Sequence, residues 1–342
     1  MTQDIGDFLP SSCGLVALGE PTHEEPAFGR ARNELFGALV ERGFRSIALE
    51  TDRVAALAVN AFVREGAGSL EGVMREGFTH GWGAQEPNRE LVAWMREYNR
   101  NRHREERLAF HGFDAPTENT TAPSPRPYLE HVRDYLGAEV DVAALAGDDE
   151  RWSRAEAVLD AAMSPGASAE ADGLRAVADD LLGVLYARAA ELIAATSREE
   201  WETARTYLTA GAGLLRYHRQ AARPMEAGER LAGLLGTRDE IMARNLLAIR
   251  SAEAGRGGTL VFAHNSHLQR SESVWRMGEK DVTWNGAGRI VAALVGGKDY
   301  FFVAGAFGGP GQWSLTPVDE VPRREKPPLV DADLVMQVPE AD

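Results

Sequence analysis

The chain has one cysteine, Cys13, among its 342 residues, so no intrachain disulfide can form. With neither a CxxC partner nor a neighbouring histidine, Cys13 gives no sign of thiol catalysis or a zinc site and reads as a small buried residue. Cationic charge is also scarce: 37 lysines and arginines stand against 52 aspartates and glutamates, a formal net charge of −15. Such a surface repels phosphate backbones and anionic lipid, which argues against nucleic acid and membranes as partners. The densest basic run, Arg96 to Arg107, is interleaved with Glu97, Glu105 and Glu106 and has the pattern of a solvated helix end. Nowhere do about 18 apolar residues follow one another, and the opening MTQDIGDFLP lacks a cationic leader segment. The expectation is a soluble cytoplasmic protein. A composition of 44% hydrophobic and 26% charged residues excludes disorder, collagen and coiled coil and supplies a sizeable core.

Several catalytic signatures are missing too. There is no GxSxG, and Ser266, between two histidines, lacks the glycines that a sharp nucleophile turn needs. No GxxxxGK[ST] loop occurs, and Gly211-Ala212-Gly213 has neither a third glycine nor a preceding strand, which removes support for phosphate cradling and dinucleotide binding. His23-Glu24-Glu25-Pro26 begins like HExxH but has no histidine in the fifth place. No cofactor is expected, and a metal would need dispersed ligands.

What is present is an alternation of short apolar runs and helical periodicity. Residues 14–19, GLVALG, read as a buried strand, followed by helical spacing from Phe28 to Val40 that stops at Gly43. Ile47-Ala48-Leu49 begins a second unit with helical spacing through Leu57, Phe62 and Val63. A third helix over Asn88 to about Arg102 leads into Leu108-Ala109-Phe110. Prolines 116, 123, 125 and 127 break the chain, and from Tyr128 to about Arg250 it is rich in alanine, leucine, arginine and glutamate, as a set of helices would be. Thr259–Ala263, Ile290–Leu294 and Tyr300–Ala304 add β-like runs, and the tail from Gly308 reads as proline-rich loop. His103, His131 and His218 fall on charged helical stretches and are assigned to the surface.

The expected fold is therefore α/β: a mostly parallel central sheet flanked by helices, with a large α-helical insert forming one wall of a cleft. Residues 1–127 and 253–306 form the core, 128–252 the insert and 307–342 the tail. In such a sheet, ligands bind beyond the carboxyl ends of the strands. Glu20 with His23, Glu50, His111 with Asp114, and His264 with His267 all occupy strand exits. One polar residue in a strand-end turn says little, but four such motifs at equivalent places point to a site. His80, in GFTHGW at 77–82, is a further candidate to line it. These imidazoles and carboxylates suit proton transfer, with water as nucleophile. His23 is the candidate base. A helix N-terminus favours its neutral ring, while Glu20 orients it and favours the charged form. Thr22 and Glu25 match a capping box and Pro26 a first helical position, which assigns Glu24 and Glu25 to structure.

GEPTHEEPAFGRAR at 19–32, SIALE at 46–50, HGFD at 111–114 and FAHNSHL at 262–268, in that order, resemble the motifs of the erythromycin esterase family. RELVAWMREYN at 89–99 and TRDEIMARNL at 237–246 resemble it as well. The resemblance implies an α/β core with a helical insert and a metal-independent hydrolase in which His23 activates water beside Glu20 to open an ester or macrolactone. It also implies that His264 or His267 polarises the carbonyl or stabilises the oxyanion, that Glu50 joins the catalytic set, and that Arg32, His111 and Asp114 line the substrate site. Glu24 and Arg244 depart from the pattern, which usually carries a small residue and an acid there. The partner implied is a small molecule, a macrolide or other lactone or ester. The same groups would also serve a natural-product tailoring enzyme performing ring opening, elimination or cyclisation. They would equally serve a protein that binds a ligand or metal without catalysis.

Overall fold

A computed structural model describes residues 5–10, 13–278, 280–308, 312–321 and 331–339. The chain divides into two units, Met1–Asp114 with Met242–Asp342, and Ala115–Ile241.

The first unit is built on a seven-stranded sheet. Its strands are β1 (Leu15–Glu20), β2 (Ser46–Asp52), β3 (Ala109–Asp114), β4 (Thr259–His264), β7 (Tyr300–Phe307), β8 (Ser314–Pro317) and β9 (Leu334–Val338). A separate two-stranded ribbon pairs β5 (Ser273–Met277) with β6 (Lys280–Trp284). The order in the sheet is β3-β2-β4-β1-β7-β9-β8, and every pairing is parallel except β8 with β9. The α/β expectation holds. Parallel strands covered on both faces bury every side chain, which is why β1 and β2 read as unbroken apolar runs. Alternate residues serve opposite cores: Val16 and Leu18 pack on one side, Leu15 and Ala17 on the other.

The first core is closed by α1 (Pro26–Glu41), α2 (Ala56–Glu65), α3 (Leu70–Glu76) and α4 (Glu86–Asn99). Helix α1 starts at Pro26 as expected, but its cap is Glu25, whose carboxylate accepts from the Ala27 amide at 3.2 Å. Thr22 is not the cap; its hydroxyl turns to the His23 carbonyl. The buried face Phe28, Ala31, Leu35, Phe36 and Leu39 keeps the 3.6-residue period, and the chain leaves through Gly43 at φ +94°.

The second unit is helical: α5 (Arg126–Leu136), α6 (Val142–Ala146), α7 (Glu150–Ser153), α8 (Ala155–Leu159), α9 (Ala169–Ala187), α10 (Ala189–Ala195), α11 (Arg198–Ala221) and α12 (Ala227–Glu253), the last running on into the first unit. Ser168 and Ser197 cap α9 and α11 through their hydroxyls. Trp152 and Trp201 anchor the core, each donating its indole N–H to a backbone carbonyl. His218, assigned to the surface from its charged neighbours, is fully buried. It lies on the packed face of α11, donates Nε2–H to the Pro123 carbonyl at 3.1 Å, and burial pushes its pKa down to about 4.

Three further readings are corrected. Ile290–Leu294 is not a strand but part of α14 (Ala287–Val295), which follows the short α13 (Asn265–Leu268). An apolar run of that length fits either structure; burial of Ala287, Gly288 and Val291 with Leu294 exposed is the helical solution. The tail is not all loop, since its described residues include β8 and β9, the latter seated against β7. Cys13 is half-buried rather than fully buried, and desolvation raises its thiol to about pKa 11.

Candidate active site

The site begins with three tight backbone approaches at the carboxyl ends of β1, β4 and β7. Asn265 donates to the Gly305 carbonyl at 2.9 Å and accepts from the Gly305 amide at 3.1 Å. Its side chain lies over Gly19, where an added Cβ would sit 2.0 Å from Asn265 Oδ1. Gly305 in turn closes on Gly19, with 2.3 Å from a built Cβ to its carbonyl oxygen. The glycine of GExxH is thus required by the asparagine of HNxH.

The register sets Glu20 beside His264. His23, on the loop between β1 and α1, reaches back to Glu20 with Nδ1 to Oε1 at 2.9 Å. Glu24 takes φ +65°, a left-handed turn that a non-glycine residue rarely adopts, directly after His23. The His23 ring stands edge-on to Trp82 at 4.8 Å and is 39% exposed, whereas Glu20 and Glu50 are 5% exposed. Glu50, at the exit of β2, is held from several sides. Its Oε2 accepts the His264 backbone N–H at 2.9 Å, and its Oε1 lies 3.4 Å from His267 Nε2 and 4.0 Å from His23 Nε2.

Hydrogen-bond chemistry assigns the His264 tautomer. The Ser266 amide donates to His264 Nδ1 at 3.1 Å, so that nitrogen is bare. Nε2 then carries the proton and donates it to the Pro21 carbonyl at 3.0 Å. Burial, aided by His23 and His267, pushes this imidazole down to about pKa 4. Both nitrogens are committed to the backbone, so His264 ties the β4 exit to the loop carrying His23 and has no donor left for an oxyanion.

Arg32, on α1, is buried beneath the pair. Its guanidinium donates to Asn88 Oδ1 at 2.8 Å and to Asn33 Oδ1, and stacks 5.0 Å from the Phe262 ring centre. Desolvation lowers it to about pKa 10, opposed by the nearby Glu20. Desolvation likewise raises the Glu20 carboxyl, opposed by His23 and Arg32. A cavity of about 20 Å³, room for one water, is bounded by Glu20, Arg32, Glu50, Thr51, Trp82 and Asn88.

A second polar group lies at the ends of β2 and β3. His80, with φ +56°, sets Nε2 3.2 Å from Asp114 Oδ2. Asp52, two residues past Glu50 on β2, accepts from the Val54 amide at 2.7 Å, and burial with Asp114 nearby pushes it up to about pKa 7. His111 does not join either group. It lies within β3 rather than at its exit, with Nε2 2.9 Å from Glu253 Oε1, and burial lowers its pKa.

The structure therefore brings Glu20, His23, Glu50, His264 and His267 together, with Arg32 behind them, and places His80 with Asp114 at neighbouring strand ends. Sequence reasoning missed Trp82 and Asp52. The i,i+2 spacing of Glu50 and Asp52 was the available signal for the second; nothing local marks the first. Among the described residues no group of three or more His, Cys, Asp or Glu side chains is arranged to hold a metal ion, and no helix is long and apolar enough to cross a membrane.

No curated protein sequence matches the chain. Solved structures do. One, of a protein from Bacillus cereus, is 17% identical, with a TM-score of 0.66 over 96% of this chain and 89% of its own. A succinoglycan biosynthesis protein is 14% identical, with a TM-score of 0.69 over 96% and 88%. A mutant of the erythromycin esterase EreC in its open conformation is 21% identical, with a TM-score of 0.61 over 97% and 77%. At such identities these similarities concern the fold. The erythromycin esterase family model matches residues 39–322, well over half of the sequence and all of the sheet strands from β2 to β8. The chain belongs to the erythromycin esterase family.

Proposed function

We propose that the protein hydrolyses an ester or macrolactone, with His23 as general base toward water. The observation that carries this reading is the line Glu20–His23–Glu50. With Glu20 ionised, Nδ1–H of His23 is donated to Oε1 at 2.9 Å, which leaves the lone pair of Nε2 on the side of Glu50, 4.0 Å away. A water donating to both acceptors would separate them by about 4.4 Å, given hydrogen bonds near 2.8 Å and the bond angle of water. A few tenths of an ångström of opening suffices.

The water oxygen attacks the acyl carbon while one of its protons passes to Nε2. Glu20 stabilises the imidazolium that forms, an interaction stronger in the transition state than in the ground state. The tetrahedral intermediate then collapses with cleavage of the acyl C–O bond, and Nε2–H protonates the leaving alkoxide. The products are an acid and an alcohol, and His23 returns to neutral. Glu50 aims the water's second proton, and His267 and the His264 amide hold Glu50 in place. Family membership and the structural similarity to an erythromycin esterase support macrolides as the first substrates to offer.

The test is mass spectrometry of macrolides and simpler lactones incubated in isotopically labelled water with wild type and with His23→Ala. Labelled oxygen in a ring-opened acid from the wild type alone is expected. An equal rate for His23→Ala, or ring opening without label, overturns the mechanism.

A further inference from the structure

The helical unit contains a second cavity, remote in sequence from the residues discussed above. It is an open trough of about 720 Å³ between α11 and α12, a volume in the range of small-molecule sites. One wall is formed by Arg216 and Arg219 on α11 and by Arg223, which lies just past the helix's last residue, Ala221. The facing side of α12 contributes Gly233, Gly236 and Glu240, again one face, so two of its positions offer no side chain. The gap left by Gly233 is taken by Gln220, which lies where a Cβ would be, 2.0 Å from its Nε2. The result is a wide trough with cations along one rim.

The charge is unusual for this unit. Arg126, Arg175, Arg188 and Arg205 each pair with a carboxylate a turn away on their own helices. In the trough, Arg216 has Glu240 at 3.4 Å, but among the described residues neither Arg219 nor Arg223 has a carboxylate oxygen within 4.0 Å. In a chain of net charge −15, two exposed guanidinium groups line this trough, Arg219 with Asp172 in its field and Arg223 donating Nη1–H to Gln220 Oε1 at 3.2 Å. Two planar guanidinium forks lining one trough suit bidentate capture of one phosphate or carboxylate. The Arg216–Glu240 pair at the other end presents both a donor and an acceptor, which suits a hydroxylated body.

We infer that this trough is a binding site for a small organic anion, its phosphate or carboxylate clamped by Arg219 and Arg223 and its polar body lying over the glycine positions of α12. The inference is independent of the hydrolase reading.

Calorimetric titration of the full chain at constant ionic strength with inorganic phosphate, glucose 6-phosphate and citrate tests it. The expected result is saturable binding of one equivalent of an organic anion with Kd below about 1 mM. The double substitution Arg219→Gln/Arg223→Gln should weaken it about tenfold or more, because the charged hydrogen bonds to the anion are lost. Both positions are exposed, so the variant keeps its fold, which circular dichroism verifies. Tighter binding of glucose 6-phosphate identifies a phosphorylated ligand, and tighter binding of citrate a carboxylate. No saturable heat with any of the three up to about 10 mM, or equal affinity in wild type and double variant, overturns the proposal.

Discussion

Replacing Asp52 by Asn should stabilise the protein, and only above the acid range. Asp52 is nearly inaccessible, and burial raises its carboxyl from 3.8 to about 7, with the Val54 amide opposing and Asp114 reinforcing the shift. A carboxyl that is harder to ionise when folded leaves stability intact below the unfolded pKa and removes it as pH climbs through the folded one. The difference of about 3 pKa units, at about 1.36 kcal/mol each, makes an ionised Asp52 cost on the order of 4 kcal/mol above pH 7. Asparagine keeps the oxygen that accepts from Val54 but never ionises, so it escapes this cost. The cost of satisfying its new amide donors reduces the gain by about 1–2 kcal/mol. Urea unfolding of wild type and Asp52→Asn at pH 4 and pH 8 is the assay. Only the difference between the two proteins is informative, because His264 and His218, both lowered to about 4, destabilise the fold as pH falls through the same window. Because the donor cost is the same at both pH values, the variant's stability relative to wild type should rise by about 4 kcal/mol from pH 4 to pH 8. A difference independent of pH would refute the reasoning.

Four other outcomes follow from the same geometry. Glu20→Gln removes the charged partner of the His23 imidazolium and should lower kcat roughly 10–100-fold with little change in KM, measured on whichever ester the labelled-water panel identifies; a pure KM effect would contradict it. Asn265→Ala loses both bonds to Gly305 and should cost about 1–3 kcal/mol in chemical denaturation. The His264 ring should stay neutral and protonated at Nε2 from pH 8 down to pH 5 in nitrogen-resolved NMR; a titration near the ordinary value of 6.5 would contradict the effect of burial, and a proton on Nδ1 the tautomer assignment. Arg32→Met deletes the buried cation beside Glu20, so Glu20 should protonate at higher pH and the acid limb of the rate profile should move upward; an unmoved limb would show that Arg32 acts through packing alone.

Much of the core was legible because parallel strands, buried on both faces, write their positions as short apolar runs bounded by glycine or acid. β1, β2, β3, β4 and β7 all carry that signature. The Glu and His residues at strand exits could then be grouped by a rule of topology. The same reading failed where one pattern serves two structures: the apolar run of α14 packs as a helix, and five residues of β9, set among prolines, are a strand because β7 is there to pair with them. His218 shows the matching error for burial, since its polar neighbours fall on other faces of α11.

The sequence by itself determined which chemical groups are available and that they lie at strand ends, since apolar periodicity and local turn residues act over a few positions of the chain. It also carried the family, through motifs spread from Gly19 to Leu268. Only the tertiary structure decided which nitrogen of each histidine is occupied, and it separated His23, which keeps Nε2 toward Glu50, from His264, which gives both nitrogens to the backbone. It likewise moved His111 to Glu253 and brought Trp82 against His23. These outcomes depend on distances of about 3–5 Å between residues tens to hundreds of positions apart, and on burial that shifts proton affinity, neither of which local pattern encodes.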